Sequence, residues 1–133
     1  MENKYRHTRT TVSLIQYHFV FCPRYRRKIF LIPSVEERFK ELVKTKCKEL
    51  EIEIITLECD KDHCHMFLNC LPAWSPSDIM QQIKAYTSKI LREEFVELSK
   101  MPSLWTRSYF VSTAENVCSE TMKKYVESQK KRY

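Results

Sequence analysis

The chain contains no glycine among its 133 residues. Glycine is needed wherever a backbone must wrap closely around phosphates, as in the P-loop and the dinucleotide-binding fingerprint. Chemistry that depends on a bound nucleoside triphosphate or dinucleotide is therefore not expected. Turns that require positive φ must use other residues, and we expect Asn or Asp there because both tolerate the left-handed region better than most side chains.

Long apolar runs and paired cysteine motifs are also missing. No apolar stretch approaches the ~20 residues needed to cross a bilayer, and the N-terminal segment is polar rather than signal-like. The six cysteines are scattered, with no Cys-x-x-Cys pair, which is typical of reduced thiols in a cytosolic protein. These absences predict a cytoplasmic protein with no membrane partner. The length of 133 residues predicts a single domain over residues 1–133.

Positive charge is abundant and lies in two clusters. The net charge is +6 and the isoelectric point is near 9.0, which favours a polyanionic partner such as a nucleic acid. One cluster surrounds Tyr25 and comprises Arg24, Arg26, Arg27 and Lys28. The other lies near the C-terminus and comprises Lys123, Lys124, Lys130, Lys131 and Arg132. Either cluster alone is also typical of a solvated surface.

Hydrophobic periodicity and turn residues predict four strands and three helices. The strands are expected at 11–22, 51–59, 62–71 and 105–113, with an Asp60–Lys61 turn joining the second and third. The helices are expected from a Ser34–Glu37 capping box to about Leu50, from Ser75 or Ser77 with Pro76 in the first turn, and from about Ser119 to about Lys131. The order β-α-β-β-α-β predicts an α+β, ferredoxin-like split βαβ sandwich. It would have a four-stranded antiparallel sheet with two helices on one face, followed by a C-terminal helix.

A histidine pair in the third strand is the first candidate site. His63 and His65 are two residues apart, so they share a strand face and lie ~7 Å from each other. The alternating residues are apolar and would point into the core: Cys64, Met66, Leu68 and Cys70. Two imidazoles on a rigid strand form half of a site for a divalent metal. Ordinary surface histidines, or a zinc site that also uses Cys59, Cys64 or Cys70, remain alternatives.

The C-terminal helix carries the second candidate site. Tyr125 and Gln129 are four residues apart and therefore lie on one helical face. Lysines flank the pair, and the carbonyl oxygen of Gln129 could act as a metal ligand. A tyrosine on a terminal helix is more often a packing residue, so the pattern alone leaves both interpretations open.

Taken together, these motifs resemble the single-tyrosine HUH transposases of small bacterial and archaeal insertion sequences, the TnpA type. The resemblance covers nearly the whole chain and is carried by five stretches: 17–28, Asp62-His63-Cys64-His65, Ser75-Pro76-Ser77, 104–110 and 124–130. The His-x-His pattern alone is weak. Its combination with Tyr-x-x-x-Gln in a short chain makes the resemblance specific.

The resemblance implies a single HUH transposase domain that acts as a homodimer and cuts and rejoins single-stranded DNA at hairpin ends. It implies that His63, His65 and Gln129 hold a divalent cation, Mg²⁺ or Mn²⁺, on the scissile phosphate. Tyr125 would attack phosphorus and form a 5′-phosphotyrosine, in active sites that combine the His pair of one subunit with the tyrosine helix of the other. The candidate DNA contacts are Arg24, Arg26, Arg27, Lys28 and Lys124 for phosphates, with Tyr25 or Tyr86 for base stacking.

Three alternatives remain at the level of the sequence: a domesticated or repeat-associated relative that processes chromosomal hairpins, a non-catalytic nucleic-acid-binding module and a metal-sensing regulator. Two departures from the family pattern are also visible. The loop before the last helix reads Ala114-Glu115-Asn116 where glycine is usual, which predicts a stiffer hinge. Ala85 follows Lys84 in the second helix, where the family commonly has glycine.

Overall fold

The computed structural model describes residues 5–113 and 119–129, which are built around a four-stranded antiparallel sheet. A small two-stranded ladder, β1 (Arg6–His7) and β2 (Val12–Ser13), precedes it. The main strands are β3 (Ile15–Phe21), β4 (Glu53–Asp60), β5 (His63–Cys70) and β6 (Phe110–Ser112). Their order across the sheet is β4-β5-β3-β6. The predicted ferredoxin-like α+β arrangement is confirmed.

The helices occupy both faces of the sheet, in unequal numbers. They are α1 (Pro33–Glu49), α2 (Pro76–Glu94), the short α3 (Val96–Ser99) and α4 (Ser119–Ser128). The main core lies between the sheet and the α1–α2 layer and includes Phe19, Phe21, Phe39, Met66 and Ile83. A second, smaller cluster joins β3 to α4 on the opposite face, through Val20, Cys22 and Val126. Every helix of the described ranges is too short or too polar to traverse a lipid bilayer.

The two long helices begin differently from one another, and only one matches its predicted cap. In α2, Ser75 is the N-cap and forms a capping box with Asp78, as predicted for the first of the two candidate serines. The Ser34–Glu37 box predicted for α1 is wrong. The helix begins at Pro33 with Ile32 as N-cap and no side-chain cap. Proline fixes φ near the helical value and suits the first position, which places Ser34 inside the first turn.

The left-handed backbone positions do not fall on Asn or Asp, so that prediction is wrong. Among the described residues, positive φ occurs at Tyr25, Arg26 and Glu51. Glu51 follows the end of α1, where its N–H donates to Lys48 O and the N–H of Ile52 donates to Cys47 O at 2.8 Å. This is the pattern of a Schellman motif, which usually has glycine at the left-handed residue.

Glu51→Gly is therefore expected to raise the free energy of unfolding by about 1 kcal/mol, because glycine lacks the Cβ that disfavours positive φ. Urea denaturation monitored by circular dichroism measures the change. Lys44→Gly, at an exposed position inside α1, is the control and should lower the same quantity by about 1 kcal/mol. Destabilisation by Glu51→Gly would show that this position carries no strain.

The strand boundaries differ from the prediction at three places. The segment predicted as one strand over 11–22 is divided into β2, which pairs with β1, and β3, which lies in the main sheet. Asp60 pairs with His63, so the hairpin loop is Lys61–Asp62 rather than Asp60–Lys61, and Asp62 lies in the turn. The fourth strand is confined to Phe110–Ser112, because the segment before it is bound elsewhere. Lys84 Nζ of α2 donates to the carbonyls of Thr106 and Ser108 at 2.9 Å each. The predicted hinge at 114–116 lies outside the described residues.

Candidate active site

The β4–β5 hairpin presents the two histidines on the sheet face opposite α1 and α2, as predicted. His63 and His65 keep 21% and 26% of their side-chain surface exposed. The alternating residues of β5, from Cys64 to Cys70, are fully buried on the helix side. The zinc alternative that used Cys64 or Cys70 receives no support from this geometry, because the sheet separates these thiols from the His pair.

His63 is held by a buried acid from the hairpin loop. Its Nδ1 lies 3.0 Å from Asp62 Oδ1, and the Asp62 side chain is only 5% exposed. The other carboxylate oxygen, Oδ2, accepts from Arg26 Nε at 3.1 Å and Nη2 at 2.9 Å. Burial alone would raise the pKa of Asp62, but hydrogen bonds from His63 and Arg26 outweigh it and lower that pKa. Asp62 is therefore a carboxylate that orients His63.

His65 contacts a different acid, on the neighbouring strand. Its Nε2 lies 2.8 Å from Glu58 Oε2, and Glu58 is the residue directly opposite His65 in the β4–β5 pairing. Glu58 is 66% exposed, so its side chain can turn into solvent at little energetic cost. A cation bound at His65 Nε2 would replace this contact. Among the described residues, no group of three or more His, Cys, Asp or Glu side chains is placed to hold a metal.

The His pair borders a cleft of about 380 Å³ between the hairpin and α4. On the α4 side, the cleft is lined by Ser119, Met122, Lys123, Val126 and Glu127. These residues form one face of α4, and Val126 also anchors the helix on β3. The predicted nucleophile and its partner glutamine are not part of this lining.

Tyr125 and Gln129 lie together, on another side of α4. The Tyr125 hydroxyl lies 3.1 Å from Ser108 Oγ, and Ser108 donates to Gln129 Oε1 at 2.5 Å. Gln129 is 1% exposed, and the Tyr125 ring packs against Phe110 with its centroid 5.9 Å away. The predicted Tyr–Gln face therefore exists, and both side chains hydrogen-bond to Ser108 in the segment before β6. Sequence reasoning missed the role of Ser108, although this residue lies in the matched stretch 104–110.

The candidate DNA-binding residues have different surroundings, and their DNA contacts remain predictions. Tyr25, Arg27 and Lys28 are exposed on the turn after β3, while Arg26 is bound to Asp62. Lys124 is exposed on α4 and lies 3.8 Å from Glu120.

Arg24 and Tyr86 also have protein partners. Arg24 donates to Ser103 Oγ at 2.9 Å. Tyr86 packs against the main core in the helix layer, with Lys46 Nζ 4.6 Å from its ring centroid. That location does not favour base stacking beside the histidines.

A second, larger cleft lies at the α2–β6 side and was not predicted. It has a volume of about 820 Å³. Its lining combines the basic Arg24, Lys84 and Arg107 with small or hydroxyl-bearing residues and with the apolar Pro102, Leu104 and Trp105. Burial lowers the pKa of the Lys84 amine to about 8. Because its two carbonyl partners belong to the segment that carries Ser108, Lys84 fixes the site at which Tyr125 and Gln129 bind.

The lowered pKa of Lys84 predicts a pH-dependent stability difference. The unfolded chain keeps this amine protonated up to its ordinary pKa of 10.5, whereas the folded chain releases the proton near pH 8. The unfolded state therefore binds more protons in this window, and the contribution of Lys84 to the free energy of unfolding rises with pH. Between pH 7.5 and 9.5, the free energy of unfolding of wild type should increase by on the order of 1–2 kcal/mol relative to that of Lys84→Met, as measured by urea denaturation. A difference that is constant across these pH values would contradict the assignment.

Comparison with known proteins identifies the family. The model of the family described as "Transposase IS200 like" matches residues 11–129. The chain is 32% identical to the transposase for insertion sequence element IS200 of Salmonella typhimurium over 115 residues, covering 84% of this chain and 73% of that protein. It is 26% identical to ISDra2 transposase TnpA of Deinococcus radiodurans over 121 residues, covering 89% and 86%.

Solved structures agree on the fold. A putative transposase from Deinococcus radiodurans superposes with a TM-score of 0.84 at 24% identity, covering 93% of this chain and 97% of that one. A REP-associated tyrosine transposase bound to a REP hairpin superposes with a TM-score of 0.58 at 13% identity, covering 92% and 68%. Because the family model matches residues 11–129, which is most of the chain, the chain belongs to the IS200-like transposases.

Proposed function

We propose that this transposase cleaves and rejoins single-stranded DNA through a covalent 5′-phosphotyrosine at Tyr125, with a divalent cation held by His63, His65 and Gln129. The observation that carries the proposal is the pairing of two sites of complementary chemistry. Two neighbouring imidazoles border a cleft on the sheet. A tyrosine and a glutamine of the C-terminal segment share Ser108 as a hydrogen-bond partner. Family membership gives no support to the alternatives of a metal-sensing regulator and a non-catalytic nucleic-acid-binding module.

The residues of the His site fit a divalent cation. Asp62 occupies Nδ1 of His63, which leaves Nε2 as the ligand atom, and His65 Nε2 faces an exposed acid that can be displaced. Two imidazole nitrogens and one amide oxygen suit Mn²⁺ and also accept Mg²⁺. When bound, the cation would act as a Lewis acid on the phosphoryl oxygens.

In the proposed reaction, the Tyr125 oxygen forms a bond to phosphorus while the bond from phosphorus to the 3′-oxygen breaks. The phenol proton passes to solvent, and the leaving 3′-oxygen takes up a proton to become a hydroxyl. The ester bond conserves the phosphodiester, so a 3′-hydroxyl of another strand can attack it and regenerate free Tyr125. No nucleotide cofactor is required, which is consistent with a chain that lacks glycine-rich phosphate loops.

We further propose that each active site is shared between two subunits of a homodimer. Within one chain, the α4 residues that line the His cleft are not Tyr125 and Gln129. A second subunit could supply them from its own α4 if the bonds to Ser108 were exchanged. The sheet has two edge strands, β4 and β6, through which two copies could join.

We propose hairpin ends as the DNA substrate, recognised through the exposed basic residues Arg27 and Lys28 of the turn after β3 and Lys124 of α4. The test uses single-stranded oligonucleotides from the DNA flanking the gene, labelled at either end, with Mn²⁺ or Mg²⁺. We expect an SDS-resistant adduct that retains the label of the 3′ fragment, together with a released 5′ fragment that ends in a 3′-hydroxyl. An adduct that retains the 5′ fragment would contradict the proposed polarity. A repeat-associated role remains an alternative, which the presence or absence of paired element ends around the gene would decide.

A further inference from the structure

The turn after β3 contains two consecutive non-glycine residues in the left-handed region. Tyr25 has φ 61° and Arg26 has φ 51°. Such a conformation costs on the order of 1–2 kcal/mol per residue and persists only when surrounding contacts hold it. At Arg26, the guanidinium binds the carboxylate of Asp62 through two nitrogens. The strained turn therefore places Arg26 against the buried acid.

Asp62 uses each of its oxygens for a different partner. Oδ2 accepts from Arg26, and Oδ1 lies 3.0 Å from His63 Nδ1. Because a carboxylate can only accept, the imidazole must carry its proton on Nδ1 when it is neutral. The lone pair then resides on Nε2, the nitrogen that the proposed metal site uses. His65 has no equivalent support at Nδ1 among the contacts described above, since its acid contacts Nε2.

We infer that Asp62 and Arg26 are positioning residues that fix His63 in the Nδ1–H tautomer and thereby direct its Nε2 towards a divalent cation. The inference rests on the proposed metal role of the His pair. It gives Arg26 a function within the protein, in place of the phosphate contact predicted from sequence. Hydrogen-bonded partners of this type commonly change metal affinity ~10–100-fold when they are removed.

The critical variant is Asp62→Asn, which preserves shape but reverses one hydrogen bond. The amide oxygen of the new asparagine should face the Arg26 guanidinium, because the opposite orientation would place the NH₂ group against the guanidinium, and both groups are hydrogen-bond donors. The NH₂ group would then donate to His63 Nδ1 and move the imidazole proton to Nε2, the logic by which an aspartate-to-asparagine change disrupts a catalytic triad. Arg26→Gln removes the guanidinium that binds Asp62 but leaves the Asp62 carboxylate, so His63 should keep the Nδ1–H tautomer.

Two measurements test the inference on the intact protein. Long-range ¹H–¹⁵N spectra at pH 8, where an ordinary imidazole is neutral, report the tautomer, with the His63 signal assigned through His63→Gln. We expect Nδ1–H in wild type and Arg26→Gln, and Nε2–H in Asp62→Asn. Titration with Mn²⁺ alone, followed by electron paramagnetic resonance of the free ion, should show affinity falling ~10–100-fold in Asp62→Asn and less in Arg26→Gln.

The matched control is Asp78→Asn, which removes the same charge in the exposed first turn of α2, where the carboxylate accepts from the N–H of Ser75 at 3.2 Å. It should leave the tautomer and the Mn²⁺ affinity close to wild type. An Nε2–H tautomer of His63 in wild type would overturn the inference, and this result does not depend on whether a variant folds. An unchanged Mn²⁺ affinity in a correctly folded Asp62→Asn variant would also overturn the inference. Failure of the proposed function would give a different result from failure of this inference, namely a protein–DNA adduct that does not depend on Tyr125.

Discussion

Tyr125→Phe should form no covalent protein–DNA adduct and should cleave single-stranded DNA at least on the order of 10³-fold more slowly than wild type. The substitution removes the attacking oxygen and keeps the ring that packs against Phe110. DNA binding should therefore remain close to wild type. Denaturing gels with end-labelled oligonucleotides measure cleavage and adduct, and fluorescence anisotropy measures binding.

Tyr109→Phe is the matched control for this experiment. Tyr109 directly follows Ser108, but its ring packs against Phe19 of the main core, and the ring centroid lies 5.5 Å from Lys84 Nζ. Loss of its hydroxyl should leave the adduct in place. An adduct of normal yield in Tyr125→Phe would show that the nucleophile is another group.

Mixing two inactive variants should restore cleavage. In the proposed dimer, Tyr125→Phe contributes an intact His pair and His63→Ala contributes an intact tyrosine helix. A heterodimer then has one complete active site and one that lacks both groups. If half of the dimers are heterodimers, each with one complete site out of two, the mixture has about a quarter of the active sites of the same amount of wild-type protein. The expectation follows from the placement of Tyr125 and Gln129 on Ser108, away from the His cleft.

The control mixes Tyr125→Phe with the double variant His63→Ala/Tyr125→Phe, which supplies no nucleophile. This mixture should remain inactive. The single-variant mixture must be allowed to exchange subunits, for example by dilution and reconcentration before the assay. If the mixture stays inactive although heterodimers form, each chain assembles its own site, and α4 must reorient within one subunit.

The sheet and the His pair could be predicted from sequence because both depend on local periodicity. Alternation in β5 separates His63 and His65 from Cys64 and Met66, and burial of the apolar set fixes which face the histidines take. The spacing of Tyr125 and Gln129 likewise fixes a shared helical face. These features can be predicted once each residue is assigned to the correct strand or helix, because they do not depend on contacts with distant segments.

Features that depend on contacts between distant segments could not be predicted in the same way. Asp62 reads as the beginning of a strand, and its role appears only when Arg26 reaches it across the fold. The fourth strand is short because Lys84 binds the carbonyls of Thr106 and Ser108. Ser108 lies in the matched stretch 104–110, but nothing in that stretch marks its hydroxyl as the partner of Tyr125 and Gln129. Each of these depends on tertiary placement that overrides local preference.

Mass spectrometry of the trapped adduct tests the central claim most directly. Trypsin cuts after Lys124 and Lys130 and releases the hexapeptide 125–130, which contains Tyr125 as its only hydroxyl-bearing aromatic residue. After nuclease trimming of an adduct formed with Mn²⁺, we predict that this peptide carries the mass of a 5′-linked nucleotide on Tyr125. A nucleotide on any other residue, or an adduct that forms equally well when both histidines are replaced, would contradict a metal-assisted attack by this phenol.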